Sequence, residues 1–268
     1  MSTTTLPYGD TLDISNTPGI PMSRLIKVEM RKMFDTRAGM WLLFSIGLIT
    51  SLVLLIQIWV ASAQNLRLHY TSFLTSMSIP MGILLPVLGV MAVTQEWGQR
   101  TGLVTFTMEP RRTRNVTSKL TVAVLIAVAS ITVALLLAVL GNLLYGAVGD
   151  YPVSWDATPG IILGFLGLQE FGLLIGFMLG MVFINTAGAI VAYFIYSFVL
   201  PGLFAWGSAT IGWFHDSRPW FDFNFDQEPL TNGSLSGAEW AHLGVSGLIW
   251  FVLPMMFGIW RLLRTEVK

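Results

Sequence analysis

The stretch LTVAVLIAVASITVALLLAVLGNLLYG occupies residues 120–146 and contains no charged residue. A helix needs about 20 mostly apolar residues to cross the hydrocarbon core of a bilayer, so this stretch is long enough to span a membrane. Five further stretches meet the same criterion, at residues 40–61, 73–94, 161–184, 187–213 and 243–263. The composition agrees, since 54% of the residues are hydrophobic and only 11% are charged. The sequence predicts an all-α integral membrane protein with six transmembrane helices.

Basic residues are concentrated on one side of the predicted membrane. Assigning the connecting segments alternately to the two sides places thirteen of the fifteen Lys and Arg residues on the side of both chain ends, and only Arg67 and Arg218 on the other. Positively charged loops remain in the cytoplasm during insertion. We therefore expect a multi-pass plasma-membrane protein with cytoplasmic termini. The count of six requires a tight turn near Asn185–Gly188, between the fourth and fifth stretches.

The residues before the first predicted span, which covers residues 40–61, fall into two parts. Residues 1–21 are polar and rich in Thr, Pro and Ser, which predicts a flexible cytoplasmic tail ahead of a membrane domain at residues 22–268. Residues 22–37 alternate apolar and basic side chains at helical spacing, which is typical of a helix at the cytoplasmic interface. A topology signal for the first span explains the same pattern. The basic residues of this interfacial helix are Arg24, Lys27, Arg31 and Lys32.

The fourth stretch carries two features on different faces of one helix. Gly172, Gly176 and Gly180 form a series of small residues that lets another helix approach closely, either within the chain or in a dimer. Glu170 lies roughly 120° around the helix from this series. A carboxylate inside a span is costly and marks a candidate functional residue. Glu170 and Gln169 are therefore candidates for the substrate pathway, with a structural or cavity-lining role as the alternative.

Prolines interrupt three of the predicted spans. A proline removes a backbone donor and kinks a helix, and kinked helices suit a protein that opens and closes. The prolines are Pro80 and Pro86 in the second span, Pro201 in the fifth and Pro254 in the sixth.

The segment between the fifth and sixth stretches is rich in aromatic residues and acids. It is too apolar for a free solvated loop, so we expect short helices folded onto or into the outer membrane face, forming an outer gate. An ordinary aromatic belt at the headgroup level is the alternative. The candidate gate residues are Trp213, Trp220, Phe221 and Phe223.

The inner loop Thr94–Lys119 reads TQEWGQRTGLVTFTMEPRRTRNVTSK and combines charges with apolar residues. An amphipathic segment there is typical of a surface that docks another protein, although Arg111, Arg112 and Arg114 also suit anionic headgroups. Glu96 and Arg100 are spaced for an i, i+4 ion pair if the segment is helical.

This loop, with the six spans and the basic interfacial start, resembles the permease subunit of an ABC-2 type transporter, a type V ABC exporter. Members of that family carry an acidic residue, a basic-Thr or Gly-Thr element, a Pro-x-Arg-like turn and a Lys that opens the next span. The matching residues here, in the same order, are Glu96, Arg100 with Thr101, Pro110 with Arg111 and Arg112, and Lys119. The pattern EWxQRT…TFT…PRR is similar to a branch frequent in high-GC Gram-positive bacteria. This chain departs from many members in having Arg-Thr-Gly where they have Gly-Thr.

The resemblance implies a permease subunit and a separate nucleotide-binding subunit with different roles. The inner loop would contain a coupling helix that sits in a cleft of a separate nucleotide-binding subunit, which holds ATP and Mg²⁺, and the helix at residues 22–37 would touch the same subunit. The aromatic segment would supply short re-entrant helices that cap the exit path of a hydrophobic, drug-like or lipid-like substrate. Two permeases, identical or homologous, would enclose the pathway. The implied coupling residues are Glu96, Trp97, Arg100, Thr101, Phe106 and Arg111.

Other functional classes fit the sequence less well. The phosphate-loop pattern GxxxxGK[ST] is absent, so we expect this chain to bind no ATP and no other cofactor itself. HExxH and GxSxG are absent, there is no Cys, and the three His residues are far apart, so neither a catalytic centre nor a metal site is predicted. No nucleic-acid partner is expected. The stronger alternative is an ion-coupled secondary transporter that uses Glu170, although spans 1–3 and 4–6 show no internal repeat.

Overall fold

The computed structural model describes residues 19–99, 109, 111–149 and 152–264. These residues form helices and connecting turns, with no strand among them. Short 3₁₀ turns lie at Arg218–Trp220 and Glu228–Asn232. The helices are α1 Met22–Asp35, α2 Arg37–Gln64, α3 Tyr70–Gly98, α4 Arg112–Gly149, α5 Pro159–Phe183, α6 Thr186–Thr210, α7 Gly212–Ser217, α8 Phe223–Asp226 and α9 Gly237–Arg264.

Within the described residues, six helices are long and apolar enough to cross a membrane, namely α2 to α6 and α9. This confirms the prediction that six apolar stretches form helices of membrane-spanning length. The inner loop is shorter than predicted, because α3 continues to Gly98 and α4 already begins at Arg112. Both ends of Thr94–Lys119 are therefore helical. The coupling helix that the resemblance implies would lie between these two helical ends. Most residues there are outside the described part of the chain.

Helix α3 lies at the centre of the bundle and packs closely against α5. In its most apolar part 61% of α3 is buried, compared with 17% for α6 and for α9. A Cβ added to Gly176 would lie within 3.0 Å of the Pro86 backbone, and a Cβ on Gly89 would be equally close to the Leu173 backbone. Glycine at these positions lets the two helix backbones touch. The small-residue series of α5 thus packs against α3 of the same chain.

A side chain from another span binds the backbone carbonyl that Pro86 leaves without a donor. Because proline has no N–H, the carbonyl of Gly82 one turn earlier loses its helical donor. The Tyr193 hydroxyl of α6 donates a 2.6 Å hydrogen bond to that carbonyl. A neighbouring helix therefore satisfies the group that the proline leaves free, as the membrane interior requires.

The prolines of α6 and α9 are accommodated by the helices themselves. In each helix a π-helical turn ends two residues before the proline, at Ile195–Val199 ahead of Pro201 and at Leu248–Val252 ahead of Pro254. A π-turn inserts an extra residue and shifts the hydrogen-bonding pattern locally. Both helices stay continuous across the interruption.

The turn between α5 and α6 consists of Ile184 and Asn185. Ile184 has a φ of 52°, in the left-handed region, and its N–H bonds to the Gly180 carbonyl at 2.9 Å. The Asn185 side chain accepts a 2.8 Å hydrogen bond from the Gly188 N–H and caps α6. The chain therefore reverses one residue earlier than predicted and separates the fourth span from the fifth.

Residues 211–236, which we call the aromatic segment, fold into short helices against the bundle. A Cβ on Gly160 would lie within 3.0 Å of the Gly233 backbone, so the segment rests directly on the first turn of α5. The Trp250 indole of α9 donates a 2.6 Å hydrogen bond to the Phe221 carbonyl. These contacts hold the segment against α5 and α9.

Candidate functional site

Two glutamates and two lysines meet where α1, α3 and α4 converge, and we call Glu29, Lys32, Glu96 and Lys119 the ion cluster. Lys32 Nζ lies 2.6 Å from Glu29 Oε1 and 2.6 Å from Glu96 Oε1. Lys119 Nζ lies 2.8 Å from Glu29 Oε2 and 3.0 Å from Glu96 Oε1. Each lysine contacts both glutamates, so the four formal charges cancel.

Most of the ion cluster is shielded from solvent. The side chains of Glu29, Glu96 and Lys119 are 10%, 8% and 9% exposed, while that of Lys32 is 34% exposed. Burial by itself lowers the pKa of Lys32, but attraction and hydrogen bonding to Glu29 and Glu96 outweigh it and raise that pKa above its ordinary value. Removing one partner of a buried ion pair leaves an uncompensated charge. The cluster therefore makes the positions of three helices depend on one another.

Local helix geometry assembles this site. Glu29 and Lys32 are three residues apart on α1 and share a face. A further polar contact joins the end of α1 to α3, because Gln95 donates a 2.9 Å hydrogen bond to Thr36, the residue that caps α2. A cavity of about 300 Å³ lies beside the cluster and is lined by all four of its members. This cavity lies at the end of the bundle where α3 ends and α4 begins.

The residues that the resemblance assigns to coupling are partly described. Glu96 belongs to the ion cluster, and the adjacent Trp97 is partly buried. Arg111 is exposed, and its backbone N–H donates a 3.2 Å hydrogen bond to Glu109. The remaining three, Arg100, Thr101 and Phe106, lie outside the described residues, as does the predicted pair between Glu96 and Arg100.

The four basic residues of the interfacial helix divide into two groups. Arg24, Lys27 and Arg31 of α1 are exposed, as expected for side chains that face headgroups or solvent. Lys32 instead turns inward to the two glutamates of the ion cluster. One of the four predicted surface cations is therefore part of an internal contact between helices.

Arginines at the start of α4 bind the two ends of the described chain. Arg112 donates hydrogen bonds to the carbonyls of Leu262 at 3.0 Å and Leu263 at 3.2 Å, which belong to the last turn of α9. Such carbonyls have no partner within their own helix. Arg114 forms a 2.6 Å ion pair with Glu109 and also donates to the Ile20 carbonyl. Both described ends thus lie at the same end of the bundle, and these two arginines have partners within the chain.

Glu170 and Gln169 point to different environments. Both carboxylate oxygens of Glu170 are buried and have no hydrogen-bond partner among the described residues. Gln169 is 2% exposed and lines a partly open cavity of about 130 Å³ between α3, α5, α6 and the aromatic segment. We call this space the tyrosine cavity, and its polar lining includes Ser78, Gln169, Tyr193, Tyr196, Asn224 and Gln227.

The four candidate gate residues differ in their packing. Phe223 is 3% exposed and packs edge-on against Phe171 of α5, with ring centroids 5.6 Å apart. Phe221 packs edge-on against Phe204 of α6, with ring centroids 5.5 Å apart. Trp220 is half-exposed, and Trp213 is 70% exposed. The two phenylalanines therefore anchor the aromatic segment to the bundle, while the tryptophans lie at its surface.

Acidic residues of the aromatic segment are also partly internal. Asp222 forms a 2.8 Å ion pair with Arg218 and caps α8. Asp226 is 5% exposed, and its Oδ2 has no hydrogen-bond partner among the described residues. Burial raises the pKa of Asp226 to about 6, although hydrogen bonding to Ser246 and the charges of His242 and Arg218 act in the opposite direction.

Within the described residues, no group of three His, Asp or Glu side chains is arranged to hold a metal ion. The three histidines have separate neighbours. His69 contacts Ser154, and His215 contacts Ser208. His242 packs edge-on against the ring of Trp220.

Several residues of these sites were not among the sequence candidates. Glu29 carries a signal that sequence reasoning passed over, namely an acid three residues before a lysine on a helix predicted to be basic. Lys119 entered only as part of the family motif. Tyr193 and Tyr196 have no distinguishing pattern in the sequence, because aromatic residues are common in spans.

Comparisons with known proteins do not identify the chain: no protein-family model matches it, and no curated protein matches it significantly.

Proposed function

We propose that this chain is the membrane-spanning permease subunit of an ATP-binding cassette exporter in a bacterial plasma membrane. A separate nucleotide-binding subunit would hold ATP and Mg²⁺, and the exported substrate would be hydrophobic, drug-like or lipid-like. The observation that carries the proposal is the ion cluster. It joins α1 directly to Glu96, the first residue of the family-like motif. These are the two elements that the resembled family presents to its ATPase.

The packing suggests how a push at one end of the bundle would reach the other. A push on the part of the chain that joins α3 to α4 would act on both helices. Because the ion cluster links both helices to α1, the three would move together as a body. Helix α3 is in backbone contact with α5, and α5 carries the aromatic segment at its first turn. The movement would thus change how the aromatic segment closes the exit.

A second permease copy, identical or homologous, is part of the proposal. Helices α6 and α9 are only 17% buried in their most apolar parts and expose large side chains. Residues such as Phe198, Trp206 and Phe257 face away from the bundle. These faces would contact lipid, a second permease, or both.

Co-purification tests this proposal. The chain is expressed with the ATP-binding cassette subunit encoded beside it, extracted in mild detergent, and assayed for subunit ratio and ATPase activity. We expect a stable complex with equal numbers of permease and ATPase subunits. We also expect that replacing Arg100 with alanine separates ATP hydrolysis from transport while membrane insertion stays normal. A chain that purifies alone in the presence of that ATPase, or an Arg100→Ala variant with normal transport, would count against the proposal.

A second candidate function is supported by Glu170. Its two carboxylate oxygens are buried in a span without a partner among the described residues, and an acid in that position can exchange a proton or accept a cation. In an ion-coupled transporter, Glu170→Gln would abolish uptake or efflux driven by a proton gradient in vesicles that contain this chain alone. In the exporter, the same variant would retain transport that depends on ATP.

A further inference from the structure

The walls of the tyrosine cavity are polar but uncharged. Among the described residues that line it there is no Asp, Glu, Lys, Arg or His. A charged ligand would lose hydration there without gaining an opposite charge, which is strongly unfavourable. The cavity therefore favours an uncharged occupant.

The hydrogen bonds of the wall leave it with free acceptors. Asn224 uses its amide N–H to donate to the Tyr196 carbonyl at 3.2 Å, and Gln227 donates to the Phe223 carbonyl at 2.9 Å. Each amide then retains its oxygen as an acceptor. The Tyr193 hydroxyl donates to the Gly82 carbonyl, and its oxygen interacts with Ser197. An occupant that donates hydrogen bonds suits this wall.

One donor of the wall has no acceptor. Tyr196 is 9% exposed, and its buried hydroxyl has no hydrogen-bond partner among the described residues. Gln227 interacts with the oxygen of this hydroxyl, but the pair does not meet the geometry of a hydrogen bond. A buried hydroxyl without a partner is unfavourable, because it has lost its hydrogen bonds to water. A ligand group that both donates and accepts, such as a hydroxyl, would satisfy Tyr196 and the amide oxygens together.

The size of the cavity limits the occupant to one ring. Its volume of about 130 Å³ is close to the roughly 150 Å³ of an engineered protein cavity that holds benzene. It would alternatively hold about four water molecules at about 30 Å³ each. Leu168, Ile175 and the faces of the two tyrosines supply apolar lining on which a ring can pack.

We propose that the tyrosine cavity is a binding site for an uncharged, ring-sized ligand group that bears a hydroxyl, of which phenol is the simplest example. The inference goes beyond the proposed function and does not depend on it, because such a site between three spans would serve either kind of transporter. Within an exporter, the site would recognise the hydroxyl-bearing ring of the substrate.

Saturation-transfer NMR with phenol, on the purified chain in detergent, tests the site. Toluene is the matched ligand because it has the same size and no hydroxyl, and benzoate tests the exclusion of charge. Hydrogen bonds contribute about 0.5–1.5 kcal/mol each, so we expect toluene to bind about three- to tenfold more weakly than phenol. Benzoate should show no saturable binding.

Two variants separate the cavity from binding to detergent or to the protein surface. A Cβ on Gly82 would meet no atom within 4 Å, so Gly82→Val has room in the cavity and should abolish saturable phenol binding. Gly47→Val is the control, because Gly47 is equally open and lines a separate groove between α2 and α4. Tyr196→Phe should reduce phenol affinity about three- to tenfold and leave toluene unchanged.

Three outcomes would overturn the proposal: equal phenol binding by the native chain and the Gly82→Val variant, equal affinities for phenol and toluene, or a structure in the presence of phenol in which the cavity holds only water. None of these results bears on whether the chain forms a complex with an ATPase.

Discussion

Replacing Glu96 with glutamine removes one of the four charges of the ion cluster and keeps the shape of the side chain. Both lysines retain Glu29, which lies 2.6 Å from Lys32 and 2.8 Å from Lys119. The cluster then carries one uncompensated positive charge, and Lys119 is 9% exposed. Because little water reaches this charge, we expect the Glu96→Gln variant to be less stable than the native chain.

The magnitude follows from the burial and from the contacts that remain. Breaking a buried ion pair by removing one partner costs about 3–5 kcal/mol, and the retained contacts to Glu29 place this variant near the lower end, at about 3 kcal/mol. Each kcal/mol corresponds to about 2–4 °C in Tm for a chain of this size, so Tm should fall by roughly 6–12 °C. Adding Lys119→Met to Glu96→Gln restores neutrality and keeps the contact between Glu29 and Lys32. This double variant should recover most of the loss.

The assay is thermal unfolding of the purified chain in detergent, followed by tryptophan fluorescence. Arg31→Gln is the matched control, because the Arg31–Asp35 pair is 3.4 Å long and its side chains are 79% and 69% exposed. Exposed pairs contribute less than about 1 kcal/mol. The reasoning is refuted if Glu96→Gln unfolds at the same temperature as Arg31→Gln. It is also refuted if the decrease in Tm of the double variant equals the sum of the decreases measured for Glu96→Gln and for Lys119→Met alone.

Three further predictions concern the rest of the bundle. Gly176→Ala should lower Tm, because its Cβ would meet the α3 backbone within 3.0 Å, at a cost of about 1–3 kcal/mol. Gly167→Ala on the same helix is the control. Its Cβ would meet no atom within 4 Å, so Tm should stay unchanged or rise. Tyr193→Phe should cost about 1–3 kcal/mol in the same assay, because the carbonyl freed by the proline of α3 loses its donor; an unchanged Tm would contradict that role. Because the pKa of Asp226 is raised to about 6 by burial, its protonated form favours the folded state, and the stability that it contributes is present below pH ~4 and lost between pH ~4 and ~6. The Tm of Asp226→Asn should therefore equal that of the native chain near pH 4 and exceed it at pH 7, whereas a difference that does not change with pH would contradict this assignment.

The spans were predictable because their signal is local. About 20 apolar residues in a row are needed wherever a helix crosses a bilayer, and residues 120–146 satisfy that requirement without reference to any other part of the chain. The prolines and the glycine series of α5 were also visible, since each acts first on its own helix. Their partners were not visible: the donor for the carbonyl that Pro86 leaves free is Tyr193, more than a hundred residues later in the chain.

The ends of the inner loop show where a local argument fails. Charged residues at Glu96, Arg112 and Lys119 placed these positions outside the predicted spans, in the inner loop, because charge is costly in an apolar medium. In the structure these residues extend the helices, since Glu96 and Lys119 neutralise each other and Arg112 bonds to the end of α9. The cost of burying a charge depends on the partner that meets it, and the partner is decided by packing.

The six helices that are long and apolar enough to cross a membrane were predictable from the sequence, because each depends on the hydrophobicity of a short stretch. The packed structure was needed to show that Lys32 faces inward, that the glycines of α5 meet α3 and that two tyrosines border a cavity. Those features depend on which helices are neighbours and on their rotation about their axes. Such contacts join residues that are distant in the chain, so no local pattern of residues specifies them.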